Sequence, residues 1–119
     1  MEEKEKLLEN LAGELRRGVQ VLCVLSQLRE AAYGYTLGQR VRGQGLEVDH
    51  NTLYPLLRRL EKSGLLESFW KLEEGRQRRY YQLTPYGQEI LEELFGEWSR
   101  MVQSVSRLLD GEEGGSWNS

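Results

Sequence analysis

Hydrogen-bonding and cationic side chains recur at helical spacing between Asn51 and Lys62. At about 100° per residue, they occupy or flank the helix face opposite a leucine stripe. Amides and guanidinium groups read base edges and cations bind phosphates, so the pattern is typical of a DNA-contacting helix. A solvated face rich in Arg and Lys is an alternative that this segment alone leaves open. The candidate contacts are Asn51, Thr52, Tyr54, Pro55, Arg58, Arg59 and Lys62.

A second group of cations surrounds Gly75, where a hairpin tip is expected: Arg76, Arg78 and Arg79. Long flexible cations at such a tip reach phosphates or a narrow minor groove, which favours DNA contact for both groups. Glu73 and Glu74 precede the tip. Their pairing with these arginines in the free protein would weaken the argument.

Other chemistries find little support. One cysteine, Cys23, and one histidine, His50, cannot supply the roughly three or four ligands of a typical zinc site. Cys23 lies within an apolar run and is expected to be a buried thiol that packs as a small hydrophobic side chain. No nucleophile has a candidate base beside it. We therefore expect no metal, no cofactor and no enzymatic activity.

The formal net charge of −3 conceals an uneven distribution. Residues 50–85 carry seven Lys or Arg and four Asp or Glu, whereas residues 86–119 carry two and seven. The candidate contacts thus lie in the basic part of the chain. Because the local field attracts a polyanion, the acidic total does not argue against DNA binding.

Apolar spacing predicts the elements that position these residues. A short amphipathic helix is expected over residues 2–12, ending near Gly13. A buried core helix follows from Leu15 to Leu28, and a second, shorter helix stops around Gly43.

A third helix should begin after Val48, where several good caps follow one another, and end at Ser63–Gly64. Pro55 has no N–H, so a start capped by Asp49 leaves one helical bond unmade, whereas a start at Thr52 costs nothing. We expect a loose or slightly bent first turn. The inward side is expected to consist of Leu53, Leu56, Leu57 and Leu60.

After the third helix the period changes from helical to alternating. One strand is expected from Leu66 and a second over Arg79–Leu83, joined by a loop of about four to six residues at Glu73–Gln77. Three short helices followed by a hairpin is the order of a winged helix-turn-helix, in which the third helix enters the major groove and the hairpin wing touches the backbone.

Thr84 and Pro85 signal a last helix that runs to about Leu109. Its apolar residues alternate by three and four positions, as in a helix that packs against another helix. A small domain cannot cover so long a stripe, so a second copy is the natural partner, although the N-terminal helix would be able to cover part of it. The candidate dimer-interface residues are Leu91, Leu94, Phe95, Trp98, Met101, Val105 and Leu108.

The expected fold is therefore α+β and mostly helical: a winged helix-turn-helix with an N-terminal helix and a C-terminal dimerisation helix. The expected divisions are an N-terminal helix (1–13), a DNA-binding domain (14–84), a dimerisation helix (85–109) and a disordered tail (110–119). No apolar run approaches the roughly 18 residues of a membrane span, and the N-terminus lacks a secretory pattern. We expect a cytoplasmic protein without membrane contact.

Several motifs resemble, in order and spacing, those of the PadR family of transcriptional regulators. They are Thr52–Glu61, Gly64–Leu66 and Arg79–Gly87, with Leu15–Gly18 and Tyr33–Tyr35 upstream. The resemblance implies a homodimeric winged-helix repressor of a double-stranded DNA operator. It also implies that Tyr54 and the basic residues of the third helix and wing contact DNA. The single C-terminal helix is similar to that of the short family members.

Trp98 has two interpretations. It is either an ordinary apolar residue of the dimer contact or part of a ligand pocket. The stretch Glu97–Arg100 resembles that of multidrug-sensing PadR regulators, in which paired tryptophans from two subunits flank a flat aromatic ligand. This resemblance implies a small aromatic effector at the two-fold axis, bound by Leu94, Trp98, Met101 and Val102.

Two functions from different classes stay open. The first is a DNA-binding repressor relieved by a small hydrophobic or aromatic ligand at the dimer interface. The second is a winged-helix protein-interaction module without DNA binding, which the acidic balance and the Glu73–Glu74 pair favour.

Overall fold

The computed structural model describes residues 2–111. Within them, four helices and three strands follow in the order α1 (Glu2–Ser26), β1 (Ala32–Tyr33), α2 (Gly34–Gly43), α3 (His50–Lys62), β2 (Leu66–Glu73), β3 (Arg76–Leu83) and α4 (Pro85–Asp110). The strands form one antiparallel sheet in the order β1-β3-β2. The predicted fold class is confirmed: a mostly helical winged helix-turn-helix with β2 and β3 as its wing.

The core lies between the helices and the base of the sheet. All four predicted leucines of α3 are buried, which confirms its inward side. They pack with Leu25 and Leu28 near the end of α1, Leu37 of α2 and Tyr81 of β3. Because burying one leucine contributes roughly 2 kcal/mol, this packing fixes the rotation of α3 and turns its polar side outward.

The start of α3 is fixed by Asp49, whose Oδ1 accepts a hydrogen bond of 2.9 Å from the Thr52 N–H. The helix therefore begins at His50, and Pro55 lies inside it. Since proline has no N–H, the carbonyl of Asn51 lacks its usual helical donor.

Glycines end α2 and α3 where the sequence predicted. Gly45 and Gly64 follow these helices with φ of 97° and 84°, which a residue without Cβ adopts freely. After α3, the Leu65 N–H donates to the Leu60 carbonyl and the Gly64 N–H to that of Glu61. This pairing satisfies the last carbonyls of the helix and directs the chain into β2.

The prediction that the first helix ends near Gly13 was wrong. α1 is continuous over 25 residues. A glycine inside a helix costs only about 1 kcal/mol relative to alanine and keeps its N–H bond, so it does not by itself terminate the helix. The predicted boundary between residues 1–13 and 14–84 consequently falls inside one helix.

The wing is tighter than the predicted loop of four to six residues. Glu73 pairs with Arg76 across the strands, which leaves Glu74 and Gly75 as the turn. Both have positive φ, 52° and 76°, as in the type I′ turns that match the twist of a hairpin. A glutamate in this conformation carries a steric cost, which is why the sequence did not signal so short a turn.

Thr84 caps α4 as predicted, because its hydroxyl accepts a hydrogen bond of 2.9 Å from the Gly87 N–H. α4 ends at Asp110, and the predicted disordered tail, apart from Asp110 and Gly111, lies outside the described residues. Within residues 2–111, no helix combines the length and apolarity needed to span a bilayer.

Candidate nucleic-acid interface

The outward side of α3 exposes every residue predicted there. Asn51, Arg58 and Lys62 lie opposite the buried leucines, and Thr52, Pro55 and Arg59 are exposed as well. No carboxylate of the described residues pairs with Arg58, Arg59 or Lys62. These cations are therefore free to meet an external anion.

Tyr54 sits between α3 and the start of α2. The ring of His50 stacks on it, with 5.8 Å between the centroids. It also lies against Gly34, where an added Cβ would be 2.5 Å from a ring carbon. The phenol is 37% exposed and so keeps a surface for a ligand. Sequence reasoning did not identify either neighbour, although the Tyr33–Tyr35 motif marked the position.

The three predicted wing arginines have different environments. Arg76, beside the turn, is exposed and has no carboxylate partner among the described residues. Arg78 donates a 2.6 Å hydrogen bond to the Tyr33 hydroxyl and lies 4.0 Å from a Glu74 oxygen. The predicted pairing of an acidic wing residue with an arginine is thus present for Glu74. Of the three wing arginines, Arg76 is the one without a carboxylate partner among residues 2–111.

Arg79 points to the other side of the sheet, toward α3. Its Nη2 donates to Glu61 Oε1 at 3.1 Å, and its Nε donates to Ser68 Oγ at the same distance. Glu61 was not among the predicted site residues, because an acidic residue at the end of a basic helix gives no sequence signal of a partner on a strand.

An aromatic cluster covers the outer side of the wing. The rings of Phe69 and Tyr80 stack at 5.6 Å, and Tyr33 meets Tyr80 edge-on at 5.4 Å. The hydrogen bond that Tyr80 donates to the Glu73 carboxylate raises the pKa of this phenol. These ring contacts join β3 to β1 through Tyr33 and to β2 through Phe69.

A groove of about 810 Å³ lies on the side of α3 away from the wing. Arg16 and Arg17 of α1 and Arg42 line it, together with Thr52 and Arg59. Arg42 is held by a 2.9 Å bond to the Val48 carbonyl. Cations consequently flank both sides of α3, and the three from α1 and α2 were not predicted as site residues.

Comparison with known proteins assigns this arrangement to a family. Residues 21–93 match the model of the transcriptional regulator PadR-like family, which covers more than half of the chain. The chain belongs to the PadR family of transcriptional regulators. Membership implies regulation through DNA binding, and the family is one of regulators rather than enzymes.

Two solved structures are similar to this PadR regulator over most of its length, and one sequence relative matches about half of it. A PadR family regulator from Eggerthella lenta is 40% identical, with a TM-score of 0.87 over 94% of this chain and 100% of that one. A PadR-like regulator from Bacillus cereus is 35% identical, with a TM-score of 0.74 over 83% and 99%. Transcriptional regulator Rv3488 of Mycobacterium tuberculosis is 44% identical over 51% of this chain and 57% of its own.

The apolar stripe of α4 is exposed in this PadR regulator from Phe95 onward. Phe95, Met101, Val105 and Leu108 are between 48% and 81% exposed, and Trp98 is 37% exposed. Leu91 differs from this group because it is 3% exposed in the core of its own chain. Leu91 is therefore not available to a partner. Leu94 is half-buried against the same core, so only part of its side chain is available.

The first half of α1 carries a second exposed apolar stripe. Leu7, Leu8, Leu11 and Leu15 are between 52% and 78% exposed. These leucines do not cover the stripe of α4 within one chain, which removes the alternative raised from the sequence. Two apolar surfaces are left uncovered in the described chain.

A cleft of about 440 Å³ separates α1 from α4. Trp98, Phe95 and Leu91 line it from α4, and Leu22 and Cys23 from α1. Of the predicted ligand residues, Trp98 alone borders this cleft; Leu94, Met101 and Val102 do not. Cys23 is half-buried rather than buried, so its thiol borders the cleft instead of filling the core.

Proposed function

We propose that this PadR regulator is a homodimeric repressor that binds a double-stranded DNA operator through α3 and the wing. The observation that carries the proposal is that Arg58 and Lys62 lie on the exposed side of α3 with no carboxylate partner in the described part of the chain. A helix fixed by four buried leucines presents these groups rigidly, as major-groove readout requires. Arg76 extends the contact to phosphates beyond the helix.

The proposed dimer joins two copies through the exposed stripe of α4. Phe95, Trp98, Met101, Val105 and Leu108 supply an apolar surface, and the leucines in the first half of α1 supply another. Exposed apolar surface of this extent marks an interface, and closed two-fold symmetry is its commonest solution. A dimer also places two copies of α3 on one side of the DNA, as two half-sites require.

The proposed effector is a flat aromatic or hydrophobic compound bound beside Trp98. The cleft between α1 and α4 has mainly apolar walls and opens next to this indole, which suits such a ligand. A ligand that favours one spacing of the two α3 helices shifts the dimer away from the operator, because half-sites lie about 34–36 Å apart. Repression is then relieved because the ligand binds the dimer arrangement that does not fit the operator more tightly than the one that does.

The test is binding of a fluorescent duplex, selected with the full chain from a random pool, at a series of salt concentrations. The proposed contacts predict binding that weakens steeply with salt, because phosphate contacts release counterions. A reporter carrying the selected site upstream of its coding region should fall in expression when the protein is present. Absence of salt-dependent DNA binding would overturn the proposal and favour the protein-interaction module, with its acidic wing residues.

A further inference from the structure

Three side chains close a ring of hydrogen bonds between α3 and the wing. Ser68 Oγ donates to Glu61 Oε2 at 2.6 Å, while Arg79 donates to Glu61 Oε1 and to Ser68 Oγ, both at 3.1 Å. Glu61 belongs to α3, Ser68 to β2 and Arg79 to β3. One carboxylate thus ties both strands of the wing to the recognition helix.

We infer that Glu61 is a positioning residue that sets the wing relative to α3, and that Arg79 acts in this ring rather than as a DNA contact. The inference rests on the proposed DNA binding and deepens it. Arg79 is matched by a carboxylate at 3.1 Å, whereas Arg76 has no such partner among the described residues. The sequence placed the two arginines in one class, and the structure separates them.

The ring lies where the wing leaves the rest of the domain. Beyond it on the same side, Trp70 and Leu72 are 63% and 65% exposed and do not pack on the core. β1 pairs with β3 only at Tyr80 and Tyr81. The outer part is therefore a two-stranded hairpin, which has little stability of its own.

The distance from the ring to the tip amplifies its effect. Arg76 lies three residues beyond Arg79 along β3, or about 10 Å at roughly 3.3 Å per residue. If the hairpin rotates relative to α3 about the ring, Arg76 is displaced in proportion to this distance, and even a small rotation can break its contact with DNA. The link between Arg78 and Tyr33 holds β3 to β1 on the other side, but it does not tie the hairpin to α3.

Two roles of Arg79 predict opposite results when Glu61 is removed. If Glu61 only restrained a DNA-contacting Arg79, its loss would free this cation and strengthen binding. If the ring positions Arg76, its loss weakens binding through Arg76 alone. A half-exposed ion pair contributes little to stability, so the variant is expected to remain folded.

The experiment measures affinity for the selected duplex with wild type, Glu61→Ala, Arg76→Ala and the double variant. Glu67→Ala is the matched control, since Glu67 is an exposed carboxylate of β2 on the opposite side of the sheet and its removal changes net charge equally. We expect Glu61→Ala to weaken binding about 5- to 10-fold relative to that control, the size of one lost contact. In the Arg76→Ala background, Glu61→Ala should cause no further loss.

Ser68→Ala, which opens the ring from β2, should reproduce the loss and show the same dependence on Arg76. An equal loss with and without Arg76, or a gain in affinity beyond that of Glu67→Ala, would overturn the positioning role. Wild-type binding with no effect of Glu61→Ala would overturn this inference and leave the proposed function intact. A wild-type chain that binds no duplex would overturn both.

Discussion

The ring of Tyr54 occupies the space that a side chain on Gly34 would need. An added Cβ at Gly34 would lie 2.5 Å from Cε1 and 2.6 Å from the hydroxyl oxygen of the phenol. Because Gly34 begins α2 and Tyr54 lies on the outward part of α3, this contact sets how the two helices of the DNA-binding motif meet. It also connects Tyr54, a candidate DNA contact, to a residue that lies on a different helix and far from it in the sequence.

Replacing Gly34 by alanine should push the Tyr54 ring from its place. We expect the free energy of unfolding to fall by about 1–3 kcal/mol, as for other overpacked sites, and DNA affinity to fall further than stability alone explains. Thermal unfolding and duplex titration measure the two effects. Gly43→Ala, in open space at the far end of α2, is the matched control. Equal behaviour of both variants would show that Tyr54 adjusts without consequence.

Arg58→Ala should weaken specific DNA binding and leave the fold intact, because the Arg58 side chain lies away from the buried leucines. Tyr54→Ala should also weaken binding, with some loss of stability because the Tyr54 ring packs against Gly34. A lost base contact costs about 1–3 kcal/mol and relaxes sequence preference at one position, whereas a lost phosphate contact weakens binding to all sequences. Titration with selected and scrambled duplexes separates the two. Arg107→Ala, at the end of α4, serves as the control cation. Wild-type affinity in both variants would mean that another side of α3 meets the DNA.

A charge on the α4 stripe should dissociate the proposed dimer. Leu108→Glu replaces a side chain that is 81% exposed in one chain, so it should not disturb the core but would bury a carboxylate between two copies. Light scattering at micromolar concentration should change from the mass of two chains to that of one. Gln103→Glu adds the same charge elsewhere on the exposed helix. A monomeric wild-type protein would contradict the dimer.

Planar aromatic cations should quench the fluorescence of Trp98, since this indole borders the cleft between α1 and α4. Trp70, exposed on the wing, should be little affected. Titration of a panel of such compounds, with Trp98→Ala as control, distinguishes the residues. Quenching that persists without Trp98 would place the ligand elsewhere, and no quenching of wild type by any compound would make Trp98 an apolar contact only.

Cys23 offers a chemical probe of the same cleft. Burial raises the pKa of its thiol, so less thiolate is present near neutral pH than in an exposed cysteine. Alkylation by iodoacetamide should be slow at neutral pH and keep accelerating above the pH at which a free thiol levels off. A compound that quenches Trp98 should also protect Cys23, which mass spectrometry measures. Rapid alkylation at neutral pH, unaffected by ligand, would contradict this placement.

Most of the fold was predictable because it follows from apolar periodicity. The leucine side of α3, the caps Asp49 and Thr84, and the glycine after α3 are local features of the chain. The predictions of the first helix end and of the wing loop length were wrong because a local signal, a glycine or a turn residue, does not by itself end a helix or a strand ladder. Gly13 permits a helix to end but does not force it. Pairing of β2 with β3 continues to Glu73 and Arg76, which leaves Glu74 in the turn despite its positive φ.

The candidate site likewise has features that the sequence predicted and features that it did not. The exposure of Arg58 and Lys62 follows from helical geometry, so the sequence predicted it. The partner of Arg79 is an acidic residue 18 positions away, and the neighbour of Tyr54 is a glycine on another helix. Such relationships arise only when α3, the wing and α2 pack together, and no single segment encodes them.

The uninterrupted α1 has a consequence for how the protein behaves as its concentration changes. The helix carries two helix-weakening glycines, Gly13 and Gly18, and the leucines of its first half are more than half exposed in the described chain. Such a segment should unwind frequently in an isolated copy and exchange its amide protons quickly. Association would slow that exchange, so order in α1 becomes linked by mass action to the amount of regulator in the cell.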